Sequence, residues 1–356
     1  MVAQPMMKVE RGCELIGAQV HAALDRLHCA PQLAGKHLLI TGATGFFGKW
    51  LLALIAGLNE RGAQLHVTAV SRSPASFLAG YPQYRNPGWL DWVQADMRTL
   101  AGIRLTRDVD FVLHGATDTS AAGQADALQT FETILGGARA VLELALKTRA
   151  KRVLFTGSGA QYGALQPGVP VREDCSGACD STLASSAYAE AKRAQEVMAA
   201  VYAQQHGLEV VLTRCFAFAG PGLALDGHFA IGNLIRDALW GRELVLNSSG
   251  LSVRSYLYAA DLAVWLLTLL VCGESGAAYN VGSDHSLTIA QLAQRVREII
   301  APEKPLRILG SPDDGAARSF YVPDVEKART LGLEIWTSLD QSISNMAAWA
   351  GNKRPE

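Results

Sequence analysis

The stretch from His37 to Leu52 constrains the fold more than any other part of this chain: His-Leu-Leu-Ile-Thr-Gly-Ala-Thr-Gly-Phe-Phe-Gly-Lys-Trp-Leu-Leu. Leu38-Leu39-Ile40 is a short apolar run with sharp ends, as in a strand buried on both faces of a parallel sheet. Glycines then recur at spacings of three, Gly42, Gly45 and Gly48, and Lys49 to Leu58 reads as a helix. A strand, a glycine turn and a helix in that order place a pyrophosphate on helix N-terminal amides. Gly42 permits the tight turn, Gly45 lets backbone approach the phosphates, and Gly48 lets helix and strand pack closely. Gly42, Thr44, Gly45, Phe46, Phe47 and Gly48 are therefore the candidate dinucleotide contacts.

A chain of 356 residues, 49% hydrophobic and 18% charged, can bury a large core in one large or two closely joined domains. Its formal net charge of −1 leaves no electrostatic footprint for nucleic acid or an anionic membrane. Any phosphate must be held locally, by helix ends and a few arginines. Six cysteines scattered through a chain of this size are not a disulfide framework. Cys175 and Cys179 have no second Cys or His pair at ligand spacing, so no metal is expected. No apolar run reaches transmembrane length, and the N-terminus lacks the basic start and apolar core of a secretory signal. The cytoplasm is the expected location.

Ahead of the first strand, Gly17 to Leu27 spaces Val20, Ala23, Leu24 and Leu27 as an amphipathic helix. Residues 1–34 thus read as a helical extension packed on the domain, with a flexible leader as the alternative. Leu65 to Val70 predicts a second strand, ending in Ser71-Arg72-Ser73-Pro74. At this strand end an acidic side chain bonds the ribose hydroxyls of NAD and repels the extra phosphate of NADP. No Asp or Glu stands here, and Arg72 offers a phosphate partner, which favours NADP over NAD. Val93 to Met97 predicts a third strand, with Asp96 and Met97 placed to reach the adenine. Phe111 to Ala116 is the fourth, ending in small residues, Ala116 among them, that let a cofactor pass close by. A long helix from about Gln124 to Ala150 and a fifth strand, Arg152 to Thr156, continue the alternation. The pattern implies an α/β, Rossmann-type doubly wound parallel sheet.

Two further segments bring chemistry. In Phe155-Thr156-Gly157-Ser158-Gly159-Ala160-Gln161-Tyr162-Gly163 a strand end delivers the Ser158 hydroxyl into the crevice. In Tyr188-Ala189-Glu190-Ala191-Lys192, inside a predicted helix from Ala187 to Gln205, the phenol and the amine stand four residues apart on one face. An ammonium near a phenol favours its ionised form. A phenol so tuned trades a proton with an alcohol or carbonyl while a nicotinamide trades hydride.

With these segments the chain resembles the extended short-chain dehydrogenases/reductases, and among them the NAD-dependent epimerase/dehydratase family acting on nucleotide sugars. The resemblance runs from about Lys36 to Trp349 and takes in Arg214 to Pro221, Val253 to Leu262 and Tyr279 to Ser283. It implies an NAD(P) cofactor, Tyr188 as acid/base, and Lys192 holding the nicotinamide ribose while tuning Tyr188. Ser158 would hydrogen-bond the reacting sugar oxygen. Arg254 would clamp the diphosphate of the substrate, and Arg318 would be a second phosphate contact, with an ordinary surface arginine as the competing reading. A helix beginning at Phe229 would present Asn233 to the sugar nucleotide. His114, near the cofactor by the same likeness, reads as structural.

Departures from the family pattern narrow the reaction. The 4,6-dehydratases of the family place an Asp-Glu pair directly after the catalytic hydroxyl, because eliminating water needs its own acid and base. Here those positions are Gly159 and Ala160. Glu190 has a helical offset that directs it away from Tyr188. In the Arg-x-Phe-Asn run of the family, Ala217 replaces Asn. The expected activity is hydride transfer at a sugar carbon, by resemblance the 4-position, as an epimerase or a 4-ketoreductase. Dehydration, reduction of a nucleotide-free carbonyl, and a non-catalytic NAD(P)-binding scaffold or regulator are the alternatives. Residues 35–215 would mainly bind cofactor and carry Ser158, Tyr188 and Lys192. Residues 216–356 would mainly form a smaller α/β substrate domain, with some segments returning to the first. A homodimer through the Gln124–Ala150 helix and the Tyr188 helix is expected by resemblance, with a nucleotide sugar as the other partner and neither nucleic acid nor membrane.

Overall fold

The computed structural model describes residues 16–105, 107–117, 126–227, 229–311 and 319–351. Its centre is a 7-stranded parallel sheet of β1 (His37–Thr41), β2 (His66–Ser71), β3 (Leu90–Gln94), β4 (Phe111–His114), β5 (Arg152–Thr156), β6 (Glu209–Cys215) and β7 (Ala278–Val281). The spatial order is β3-β2-β1-β4-β5-β6-β7, with Ile40 opposite Leu113 and Thr41 opposite His114 where the order reverses. Every residue of β1 is buried. Its pleat sends Leu38 and Ile40 into the apolar layer on one face and Leu39 into that on the other, which is why the run does not alternate.

The longer helices are α1 (16–24), α2 (Phe46–Glu60), α3 (Ala127–Lys147), α4 (Ala187–His206), α5 (Ala230–Trp240), α6 (Ala259–Cys272), α7 (Ile289–Ile300) and α8 (Leu339–Gly351). Val141, Leu142 and Ala145 of α3 share a core with Leu39, Val112 and Val153. On the opposite face Trp50 and Leu54 of α2 and Trp265 of α6 join Leu38, Ile40 and Val67. Helix α6 is buried continuously from Ala259 to Leu270, so its apolar run belongs to the core. No helix among the described residues is long and apolar enough to cross a membrane.

Helix α1 confirms the amphipathic spacing: Val20, Ala23 and Leu24 enter the same core as α2 and α6. Leu24 reaches Gly57 of α2, where an added Cβ would lie 2.7 Å from its Cδ1. Arg26 then pairs with the fully buried Asp261 of α6 at 3.2 Å and stacks on Trp336 at 5.3 Å. Residues 1–15 lie outside the described residues.

Toward the C-terminus, α5, α7 and α8 close a separate apolar cluster with the strands Leu244–Leu246 and Leu306–Ile308. Thr288 caps α7. Its Oγ1 accepts from Gln291 N at 3.1 Å, and Gln291 Oε1 accepts from Thr288 N at 2.8 Å. A three-stranded sheet of Leu287–Thr288, Val253–Arg254 and Phe320–Tyr321 stands beside this cluster. One predicted span moves. The third strand ends at Gln94, because the Asp96 side chain accepts from Arg98 N and turns the chain into a 3-10 helix. Near the C-terminus a short helix covers Glu326–Arg329, and Gly332 has left the helical region with φ +75°.

Candidate active site

The glycine turn sits where the strand order reverses, between the C-terminal ends of β1 and β4. Gly42 has φ +76°, and a Cβ there would lie 2.8 Å from the backbone of Gly115 and Ala116. Ala116 N donates to Thr41 Oγ1 at 3.3 Å, fixing the same crossing from the other side. Gly45 N donates to Gly42 O at 3.0 Å, and Gly45 is the N-cap of α2 without a capping side chain. A Cβ at Gly48 would fall 2.2–2.4 Å from the Ala43 backbone, so the first turn of α2 rides directly on the strand-to-helix turn. With no acidic side chain in that turn, α2 directs its N-terminal amides, including those of Phe46 and Phe47, at an anion. The cradle fits a dinucleotide pyrophosphate.

At the end of β2, Ser71 Oγ meets Thr44 Oγ1 at 3.3 Å and accepts from Ser73 N at 3.2 Å. Arg72 beside it is exposed. Asp96 is held by Arg98, which donates from Nε at 2.8 Å and from Nη2 at 3.1 Å. That guanidinium, with Arg72 adding its charge, keeps the Asp96 carboxyl below the usual carboxylate range. The ends of β2 and β3 thus gather two cations. Arg98 escaped the sequence reading, although Asp96-Met97-Arg98 held the signal. Met97 turns toward α3 and packs at Gly137.

On the other side of the crevice, Ser158 caps the short 3-10 helix Gly159–Tyr162 in a capping box with Gln161. Its Oγ accepts from Ala160 N at 3.2 Å, which leaves the hydroxyl proton to be donated. Lys192, buried in α4, donates from Nζ to Thr156 O and to Thr117 Oγ1, both at 2.7 Å. Burial pulls its ammonium down to about 8. Burial pushes the Tyr188 phenol up, and the neighbouring Ser158 hydroxyl opposes the rise. Lys192 directs its hydrogen bonds to Thr156 and Thr117, and the Ser158 hydroxyl stands beside the Tyr188 phenol. His114 bonds Thr41 Oγ1 through Nδ1 at 2.8 Å, and burial holds it neutral, down to about 3. Glu190 accepts from Cys179 N at 3.2 Å, away from the crevice.

Tyr321 is a further group that the sequence reading did not assign. Its hydroxyl donates to Cys215 O at 3.4 Å. Burial raises its phenol, Ser158 opposes the rise, and the proximity of Tyr188 adds to it. Its ring stands 4.6 Å from Phe216, and the Arg254 guanidinium lies over it at 5.7 Å. Tyr321 thereby connects Arg254 to the Ser158–Tyr188 pair. Arg254 itself donates to Val253 O at 2.8 Å and to Ser319 O at 3.1 Å. Asn233 is committed to Gly227 O at 2.9 Å and to Arg236 at 3.2 Å. Arg318 lies outside the described residues. A cavity of about 270 Å³ behind the Ser158 turn is separate from the crevice, and Arg193 and Arg214 in its wall are already engaged, by Gly177 O and Glu196.

The sequence profile described as the NAD dependent epimerase/dehydratase family matches residues 38–282. UDP-glucuronic acid decarboxylase 6 of Arabidopsis thaliana is 28% identical over 321 residues, 88% of each chain. Among solved structures, UDP-glucose 4-epimerase of Thermotoga maritima with UDP-glucose superposes with a TM-score of 0.75 at 22% identity, covering 90% of this chain and 100% of that one. The dTDP-glucose 4,6-dehydratase of Bacillus anthracis in complex with NAD gives 0.75 at 19% identity, covering 90% and 97%.

Proposed function

The chain belongs to the NAD dependent epimerase/dehydratase family, among the extended short-chain dehydrogenases/reductases, and we propose that it reduces the 4-keto group of a nucleotide-activated sugar with NADPH. The observation that carries this reading is the group of buried Ser158 and Lys192 with half-buried Tyr188 across the crevice from the glycine cradle. The bound cofactor supplies the hydride. Tyr188, kept protonated by burial, gives its proton to the sugar oxygen as the carbonyl becomes an alcohol. Ser158 donates a hydrogen bond to the same oxygen and stabilises the charge developing there. Lys192 ties the end of β5 to the segment after β4 and would hold the nicotinamide ribose. Gly42, Thr44, Gly45, Phe46, Phe47 and Gly48 hold the pyrophosphate, Asp96, Met97 and Ala116 border the adenosine side, and Ser71 and Arg72 favour the phosphate of NADP. Arg254 would take the diphosphate of the substrate, the role the resemblance gives it, with Arg318 and Asn233 as the further contacts expected from the sequence.

A 4-epimerase is the second reading, because the same three residues run the reaction in both directions and a solved relative is named for that activity. Dehydration lacks its acid and base at Gly159 and Ala160. The deciding experiment follows absorbance of NADPH while 4-keto and 4-hydroxy nucleotide sugars are added, with product analysis by mass spectrometry. Stoichiometric NADPH loss with 4-keto sugars supports the reductase. Sugar interconversion without net cofactor change supports the epimerase. Turnover of nucleotide-free carbonyls alone sinks both.

A further inference from the structure

Two of the six cysteines, far apart in the sequence, meet in the fold. Cys29 stands in the connection from α1 to β1, as the N-cap of the short helix Ala30–Leu33, and is 2% exposed. Its thiol reaches the last turns of α6, where Sγ donates to Thr268 Oγ1 at 3.8 Å. Cys272 ends α6 one turn beyond Thr268, so both side chains leave the same face of the helix. The Cys272 thiol is accordingly a hydrogen-bonding neighbour of Cys29. Arg152 fixes this helix end, donating from Nη1 to Val271 O at 2.7 Å and to Gly273 O at 2.9 Å, on either side of Cys272. Cys272 itself is exposed, and both thiols are free in this structure.

We propose that Cys29 and Cys272 are a reversible disulfide site that clips the N-terminal extension to α6. The co-reactant is a low-molecular-weight disulfide, RSSR. The accessible Cys272 attacks it as a thiolate, forms a mixed disulfide and releases one RSH. Cys29 then attacks the Cys272 sulfur, the protein S–S bond forms, and the second RSH leaves. The two thiol protons and two electrons thus end on the released thiols. Closure brings the sulfurs from contact to about 2 Å apart, a movement that rotation of the exposed Cys272 side chain supplies. Burial pushes the Cys29 thiol up to about 12, so the second step is the slow one and quickens as pH rises. Arg26 already holds Asp261 in the first turn of α6, and the crosslink secures the same segment at the last turn. The loop it closes takes in most of the chain, so oxidation should raise Tm by about 3–5 °C.

The test incubates the full chain with oxidised glutathione, removes the reagent, alkylates the remaining thiols and maps the peptides by mass spectrometry without reduction. Thermal unfolding is recorded beside it, with and without dithiothreitol. The expected result is a pair of peptides joined through Cys29 and Cys272, with a gain in Tm that dithiothreitol reverses. Cys272→Ser, a change at an exposed position, should keep the Tm of the reduced protein and lose both the joined peptides and the gain. Cys29→Ser should stop at a mixed disulfide of Cys272 with glutathione. A wild type that stops at the same mixed disulfide, with Cys29 still a thiol, overturns the inference. Oxidation confined to Cys175 and Cys179 overturns it as well, and so do joined peptides that leave Tm unchanged, because the bond would then clip nothing.

Discussion

Lys192 Nζ donates to the carbonyl oxygen of Thr156 at 2.7 Å, which ties helix α4 to the strand that delivers Ser158 two residues later. Tyr188 lies one turn before Lys192 on the same face, so its position relative to Ser158 is set by this bond. Lys192→Met should leave Thr156 O without its donor and cost about 1–3 kcal/mol of stability. Tyr188→Phe should remove the proton donor while leaving the cofactor cradle intact. We expect kcat to fall about 10²–10⁴-fold with cofactor affinity nearly unchanged, read by steady-state assay and fluorescence titration. A Tyr188→Phe enzyme with near-normal kcat would assign the proton donation to a group other than Tyr188.

Gly42 and Gly62 both have positive φ, +76° and +88°, but only Gly42 is crowded, with Gly115 and Ala116 backbone 2.8 Å from a Cβ. Gly62→Ala should therefore cost only the backbone strain, about 1 kcal/mol, and bind cofactor normally. Gly42→Ala has to push β1 away from β4 at the crevice. It should abolish measurable NADP(H) binding even where the variant remains folded by circular dichroism. Equal behaviour of the two variants would mean that the close approach at Gly42 is not needed for binding.

The sheet, the glycine cradle and the Ser158, Tyr188 and Lys192 segments were legible because each follows a local rule. Leu38 to Ile40 is apolar without alternation, and residues 188 and 192 share a helical face whatever surrounds them. The anchoring of Lys192 was not legible, since its partners Thr117 and Thr156 are both distant in sequence. Tyr321 was missed for the same reason. It reaches Ser158 only because Phe320–Tyr321 pairs with Val253–Arg254, a register fixed by packing of the C-terminal segments. Asp96 misled the third strand because its side chain acts on the backbone of Arg98, a capping effect that outweighs the β propensity of Val93.

Arg72 and Arg98 stand together at the ends of β2 and β3, and both act on Asp96. A phosphate on the adenosine ribose would meet this pair. Arg72→Ser should weaken NADPH about 10- to 100-fold and leave NADH nearly unchanged. Titration of both nucleotides against wild type and variant checks it; a parallel loss for both would assign Arg72 to something other than the phosphate.

Helices α3 and α4 present Leu128, Val197 and Val201 to solvent, with exposures of 68%, 62% and 42%. Val197 and Val201 are one turn apart, and such an apolar stripe on a helix pair fits a second copy of the chain. The double variant Val197→Glu/Val201→Glu should turn a dimer into a monomer in light scattering without changing thermal unfolding of the protomer by more than a few degrees. A wild type that is monomeric at assay concentration would sink this reading at once.

Asp261 is fully buried against Arg26, and Thr337 donates to it from N at 2.8 Å and from Oγ1 at 3.1 Å. Desolvation still outweighs these partners and pushes its carboxyl up to about 6. Between the unfolded value near 3.9 and that folded value, the native state binds more protons than the unfolded chain. Stability therefore falls as pH rises from about 4 to about 6, by roughly 2–3 kcal/mol from this group, and is flat above. Asp261→Asn keeps an acceptor for Thr337 and cannot ionise, so this part of the slope should vanish. Urea unfolding at pH 4.5 and pH 7.0 measures it: wild type should lose stability relative to Asp261→Asn on going to the higher pH. The opposite trend would mean that the Arg26 pair, not burial, governs Asp261, and that the ionised carboxylate is what anchors the N-terminal extension to α6.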